Sequence, residues 1–365
     1  MLSIFIVGYA AFATLVFGCL VIIDLTGRAI GKTEGVDKRR FLPKALVVVP
    51  CRGIDIGLEG NLSSLMQQNY SRYRVIAVVD SREDPALKTI RKVGMEYLVS
   101  NTKCGMCSGK VRAIATALEK ERDYDAYAIA DSDVRVGSAW LKELMLPLHD
   151  KRVGISTSFP RFVPMAGGFW SKMKLVWGFV GEGLMEREST RFGWGGSLAF
   201  RKDLLESNGI SAFKDSKYSV SDDITLTKMA EGKGLSIAYA RRAQPVVYCR
   251  ESFMSFYEWS NRQTAFTILG YRRNLYIGLL YYGAEIMTSV SAIALSAAIS
   301  PLFLVFLAHY AKSTLMNYRR ADATDPAIAV ISFAMPFIYF ANLVNAGRME
   351  EITWRGRRYS IARND

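Results

Sequence analysis

Tyr127-Ala128-Ile129-Ala130-Asp131-Ser132-Asp133 is a strand-like apolar run closing on two carboxylates one residue apart, and its reading decides the fold. In open α/β sheets the carboxyl edge of the strands is where ligands bind. Two acids on such a turn suit a hard divalent ion, Mg²⁺ or Mn²⁺, which takes oxygen ligands and shares itself with substrate phosphates. The plainer reading of the same residues is a solvated turn that caps the next helix. The surrounding pattern has to choose between them.

Working outward, Ala45 to Pro50 reads as a buried strand stopped by proline, and Val75 to Asp80 as its parallel neighbour. The piece between them, Gly60 to Tyr70, has Leu62, Leu65 and Met66 at the spacing of a crossover helix. A further helix from Lys110 to Lys120 leads into the strand that ends at Asp131. Alternation of this kind between 41 and about 250 predicts a mostly parallel sheet flanked by helices. Asp80, Asp84 and Asp131 then share one edge of that sheet.

The apolar residues concentrate at the two ends of the 365-residue chain, which is 50% hydrophobic. From residue 2 up to Asp24 no charge interrupts a run of bilayer-spanning length, and Arg28, Lys32, Lys38, Arg39 and Arg40 follow it. Basic flanks stay on the cytoplasmic side, so residue 28 onward is expected in the cytoplasm. A signal peptide fits less well, because no basic leader precedes the run. Further candidate spans lie inside 276–310 and at 327–346, separated by a polar stretch with Lys312, Arg319 and Arg320. The expected domains are an anchor at 1–26, a cytosolic domain at 41–275, a membrane region at 276–347 and a basic cytosolic tail at 348–365.

A net charge of +13 raises nucleic acid as a partner, but most of the surplus flanks apolar runs. Anionic lipid headgroups and an anionic substrate account for it, and no nucleic acid is expected. Of the five cysteines only Cys104 and Cys107 are closely spaced, and the chain has two histidines. One CxxC without a second pair is weak evidence for zinc, and reduced thiols are the expected state.

Residues 161–185 are rich in Phe, Trp and Met with Lys172 and Lys174 among them, which reads as a helix on the membrane surface or in a core, the first being favoured. Gly193-Trp194-Gly195-Gly196-Ser197 is a loop whose backbone can approach a ligand closely. Ser221-Asp222-Asp223 then opens a helix running to Gly232. An acidic pair in a first turn is ordinary dipole compensation. Its place in this series is what makes it a candidate.

In that order the residues resemble the membrane-bound family-2 inverting glycosyltransferases, most closely the ceramide glucosyltransferase branch. The likeness is carried by the N-terminal anchor, Pro50-Cys51-Arg52-Gly53-Ile54-Asp55, Glu83-Asp84-Pro85-Ala86, Asp131-Ser132-Asp133, the glycine-rich loop, Asp222-Asp223, and Ile352-Thr353-Trp354-Arg355-Gly356-Arg357-Arg358-Tyr359. It implies a glycosyltransferase A-type fold, a nucleotide-sugar-binding mixed, mostly parallel sheet flanked by helices, with N- and C-terminal transmembrane helices. It further implies that Asp80 or Asp84 contacts the nucleoside, Lys110 and Asp131 the donor, and Asp133 the Mg²⁺ or Mn²⁺ on its diphosphate. Asp223, paired with Asp222, matches the family's catalytic base, and Trp194, Gly195 and Gly196 lie on the acceptor side. The implied reaction is inverting transfer of a hexose, glucose being the expected one, from a UDP-sugar to a membrane lipid hydroxyl.

One departure concerns the family's Gln or Arg, two residues, then Arg-Trp. The nearest counterpart here is Trp259-Ser260-Asn261-Arg262-Gln263, where Arg262 and Gln263 are the expected diphosphate contacts and no Trp follows. The loop at 194–197 also lacks the Cys common in the ceramide branch. These differences bear on the acceptor more than on catalysis. Two other readings stay open, a processive polysaccharide synthase and a non-catalytic membrane scaffold that binds a nucleotide sugar.

Overall fold

A computed structural model describes residues 2–26, 42–165, 167–205, 208–322 and 325–361. Arg28, Lys32, Lys38, Arg39, Arg40 and Arg363 lie outside them. Helix α1 (Leu2–Thr26) comes first, then β1 (Ala45–Cys51), α2 (Leu58–Met66), β2 (Tyr73–Val79), α3 (Ala86–Lys92), β3 (Glu96–Val99), α4 (Gly109–Lys120) and β4 (Ala126–Ala130). Next are β5 (Val134–Arg135), α5 (Trp140–Met145), β6 (Val153–Thr157), β7 (Arg161–Pro164), α6 (Phe169–Met185), β8 (Ser197–Arg201), α7 (Gly209–Lys214), α8 (Asp222–Gly232), β9 (Ser236–Tyr239) and β10 (Val246–Cys249). The chain closes with α9 (Phe253–Gly270), α10 (Arg273–Ala298), α11 (Ala308–Ala321), α12 (Pro326–Arg348), β11 (Glu351–Trp354) and β12 (Arg357–Ser360).

Two compact units result, and neither is one continuous stretch. The helical unit takes Met1–Ile30, Ala166–Val180 and Glu251–Met349, and the α/β unit takes Gly31–Met165, Gly181–Arg250 and Glu350–Asp365.

In the α/β unit a seven-stranded sheet runs in the order β3-β2-β1-β4-β8-β6-β9. The β-branched run Val47-Val48-Val49 is fully buried, as a strand covered on both faces requires. β3, β2, β1 and β4 are mutually parallel, with Val48 opposite both Ile76 and Ile129. β8 then runs antiparallel to β4 and β6, which makes the sheet mixed, as expected. Leu46, Ile76, Ile114, Leu118, Ile129 and Phe200 form part of the core beneath α4. Ser108 caps α4, its hydroxyl accepting from the Val111 N–H at 3.2 Å. A small sheet, β5-β10-β7, and the β11–β12 hairpin complete the unit.

Among the described residues the helical unit holds three helices long and apolar enough to cross a membrane, at Ile4–Ile22, Arg273–Ala298 and Pro326–Arg348. Side chains such as Phe5, Leu15, Leu280 and Val330 are exposed on them. Inside the unit, polar groups satisfy one another: the Trp177 Nε1–H donates to Asn342 at 3.0 Å, and Asn342 donates to Asn261 at 3.1 Å. This corrects the reading of 161–185 as a membrane-surface helix. Its first residues are strand β7, and on α6 Met173, Val176, Trp177 and Phe179 are buried in the unit's own core. Lys174 joins them because Glu251 pairs with it at 2.6 Å.

The structure also corrects the expected state of Cys104 and Cys107, which are joined in a disulfide. Their Cα atoms stand 5.8 Å apart, a usual bridging distance, so the loop before α4 closes without moving the backbone.

Candidate functional site

Parallel pairing fixes where the acids go. β1, β2 and β4 point the same way, so the loops after them, carrying Asp55, Asp80, Asp84, Asp131 and Asp133, leave one edge of the sheet. β8 runs antiparallel to β4 and so begins at that edge, where the Asp131 N–H donates to the Gly196 carbonyl at 3.3 Å. The loop 193–196 therefore lies directly against the Asp131 turn.

Lys110, in the first turn of α4, joins the pieces. Its Nζ stands 2.7 Å from Asp131 Oδ1 and 3.1 Å from Asp222 Oδ1. Burial alone would lower the Lys110 ammonium, but Asp131, Asp222 and Asp223 outweigh it and hold it above the usual lysine range. Asp222 is 2% exposed, and burial raises its carboxyl even though Lys110 opposes the shift. Its Oδ2 is buried with no hydrogen-bond partner among the described residues.

Asp223, the next residue, is less enclosed. Its Oδ2 accepts from the Gly195 N–H at 3.1 Å, while Oδ1 accepts from its neighbour's Ile224 N–H at 2.8 Å and from the Ser221 hydroxyl. These bonds lock the carboxylate at the start of α8. Gly195 is required for this approach, because a Cβ there would come within 2.4 Å of Asp222 Oδ2 and 2.8 Å of Lys110 Nζ. Asp131, Lys110, Asp222, Asp223 and Gly195 are thus one cluster, although 92 residues separate Asp131 from Asp223.

The other candidates sort as follows. Asp80 faces three guanidinium groups, Arg52 at 3.5 Å, Arg112 at 3.4 Å and Arg357 at 3.2 Å. Asp84 accepts from the Gly53 N–H at 3.0 Å and the Ala86 N–H at 2.9 Å, so its carboxylate braces the loop after β1 and the start of α3. Trp194 is half-buried, with its backbone N–H donating to Thr157 Oγ1 at 2.9 Å and its ring packed beside Gly196. Arg262 and Gln263 lie on α9 in the helical unit, where Arg262 acts on Glu251.

Asp55 was not singled out in the sequence. It accepts from Ser132 Oγ at 2.6 Å and pairs with Arg355 at 2.6 Å, inside the Asp131-Ser132-Asp133 turn. Its place at the carboxyl end of β1 is the same signal that marked Asp80 and Asp131. Arg52 and Arg357 stood in the quoted motifs, but their convergence with Arg112 on Asp80 could be found only through the fold.

A divalent ion fits this donor set in one particular way. Among the described residues no three His, Cys, Asp or Glu side chains are grouped to hold a metal. Asp131 is already engaged by Lys110, so of the two acids of the turn Asp133 is the one that could hold such an ion. Mg²⁺ and Mn²⁺ sites are commonly built this way, with one or two carboxylates plus phosphates.

A family profile described as Glycosyl transferase family 21 matches residues 9–365. Among solved structures, the chain is similar to the mannosyltransferase PcManGT from Pyrobaculum calidifontis, in complex with GDP-Man and Mn²⁺. The TM-score is 0.59 at 18% identity over 94% of this chain and 97% of that one. Glucosyl-3-phosphoglycerate synthase from Mycobacterium tuberculosis also matches, with TM-score 0.41 and 12% identity over 66% of this chain and 86% of that one. The first likeness bears out the glycosyltransferase A-like sheet.

Proposed function

The chain belongs to glycosyl transferase family 21, and from that premise we propose that it transfers a hexose, glucose by our reading, from a UDP-sugar to a membrane lipid hydroxyl with inversion. The observation that carries this is the Lys110 bridge, which sets the donor-side acid Asp131 and the α8 acids Asp222 and Asp223 around one ammonium.

In this reading Asp223 is the general base. A lipid alcohol is a poor nucleophile, and a carboxylate within hydrogen-bond reach takes its proton as it attacks the anomeric carbon. The Gly195 N–H, Ile224 N–H and Ser221 hydroxyl orient that carboxylate in advance. Asp222 stays back with Lys110, and the pair fixes the position of Asp131 against the sugar. Asp80 and Asp84 serve the nucleoside end, and Trp194, Gly195 and Gly196 the acceptor side. Asp133 would hold Mg²⁺ or Mn²⁺, and the solved mannosyltransferase in complex with GDP-Man and Mn²⁺ supports that choice. A bound divalent ion offsets charge building on the departing diphosphate. One displacement inverts the anomeric centre, so an α-linked donor gives a β-glycolipid.

The three apolar helices support an integral membrane protein; the same reading takes the membrane to be the cell membrane and the α/β unit to be cytoplasmic, the side on which the basic residues after the first span are expected. The test is turnover by the full chain in lipid nanodiscs with UDP-glucose, Mn²⁺ and a lipid alcohol. Asp223→Asn is expected to lower kcat by about 10²–10⁴-fold while UDP still binds. Wild-type kcat in that variant would remove the base, and a polymer in place of one sugar per lipid would favour a processive synthase.

A further inference from the structure

The tail hairpin reaches the acid-lined edge from far along the chain, Arg355 lying 300 residues from Asp55, and nothing in the proposed chemistry so far uses it. Its turn, Trp354-Arg355-Gly356-Arg357, has two residues at positive φ, Arg355 at 51° and Gly356 at 74°. Tight hairpin turns of this kind favour Asn or Gly at the first of these positions, since a longer side chain there is strained. Arginine holds it instead. Arg355 pairs with Asp55 at 2.6 Å and donates to the Arg52 carbonyl at 3.2 Å. Burial would lower its guanidinium, but Asp55, Asp133 and Asp131 outweigh that and raise it, so Arg355 feels both acids of the Asp131-Ser132-Asp133 turn.

Two residues on, Arg357 faces Asp80 at 3.2 Å, and Tyr359 Oη accepts from the Gly109 N–H at 3.2 Å. Gly109 opens α4, and a Cβ there would come within 2.8 Å of Arg357 Nη1. The hairpin therefore lies close upon a helix N-terminus, where backbone N–H groups favour anions. Asp55, Asp80, Asp131 and Asp133 would otherwise repel a doubly charged diphosphate. Guanidinium groups bind phosphate bidentately and are weakly hydrated, which suits them to exchange one anion for another.

We propose that the β11–β12 hairpin is a donor-binding strap: Arg355 and Arg357 hold Asp55 and Asp80 in the empty site and engage the diphosphate when a nucleoside diphosphate arrives. The inference rests on the transferase reading. It is tested by calorimetry on the full chain in nanodiscs with Mg²⁺, using UDP, GDP and uridine as probes. Each arginine lost is expected to weaken UDP about tenfold, as for a charge-assisted hydrogen bond. The Arg355→Gln/Arg357→Gln variant should therefore lose about 100-fold for UDP and nothing for uridine. Arg358→Gln, exposed on the same hairpin, should bind UDP like the wild type. The Arg355→Lys/Arg357→Lys variant keeps both charges and should stand at least about tenfold above the Gln pair.

Wild-type UDP affinity in the Gln pair would overturn the strap alone. So would an equal loss of uridine, or a Lys pair as weak as the Gln pair, since either would mark a misplaced hairpin rather than lost phosphate contacts. A wild-type protein that binds neither UDP nor GDP would remove the transferase reading and the strap together.

Discussion

The two sides of the acid-lined edge neutralise their carboxylates by opposite means. After β1 and β2, Asp55 and Asp80 face arginines whose side chains remain 33–40% exposed. Around α8, the Asp222 side chain is 3% exposed and meets that of Lys110, itself 10% exposed, while backbone N–H groups hold Asp223. Exposed pairs contribute little to stability and can be exchanged at small cost. A buried pair is costly to break, because the partner left behind is an unsolvated charge. The first side is therefore suited to receiving a charged ligand, and the second to holding a fixed geometry.

The contrast can be broken most sharply at Lys110. Lys110→Met should cost about 3–5 kcal/mol of stability, read as a large fall in the thermal midpoint. It should also change the pH dependence. Without the ammonium, the already raised Asp222 carboxyl rises further, so the folded state binds the proton more tightly than the unfolded chain. That contribution is full below the unfolded carboxylate range and is lost as pH rises through the raised folded value, so the variant should lose stability toward neutral pH more steeply than wild type. A flat pH profile would mean that Asp222 is not the group left exposed to the loss.

Next comes Gly195→Ala, whose methyl would push Asp222 and Lys110 apart. A displacement near 1 Å is expected to lower kcat about 100-fold with a smaller change in UDP affinity. The smallest effect belongs to Arg112→Gln on the exposed side. It should move stability by less than about 1 kcal/mol in the same melting experiment, and equal losses at Lys110 and Arg112 would erase the distinction between the two sides.

The exposed side was also the more legible. Apolar runs separated by crossover helices located β1, β2, β4 and α4 to within two residues at each end, and parallel pairing then placed Asp80, Asp84 and Asp131 at one edge without any partner being known. α2 begins at Leu58, before the expected Gly60, because Gly57 at φ 71° turns the chain into it. The reversed strand β8 carries no comparable local signal, since an antiparallel and a parallel strand have the same alternation. α6 was misread for a related reason: its aromatic face looks membrane-bound until Asn342, far along the chain, supplies the buried partner for Trp177. Arg355 and Arg357 were visible as part of a motif, but their partners at Asp55 and Asp80 could come only from the fold.

The order of synthesis gives the hairpin one more consequence. Residues 350–361 belong with a sheet whose strands leave the ribosome much earlier, and the helices of 251–349 are made in between. A nascent chain therefore carries Asp55 and Asp80 without Arg355 and Arg357 until its apolar helices have emerged. The pairing of Asp55 with Arg355 and of Asp80 with Arg357 thereby waits until the helices of 251–349 have been made.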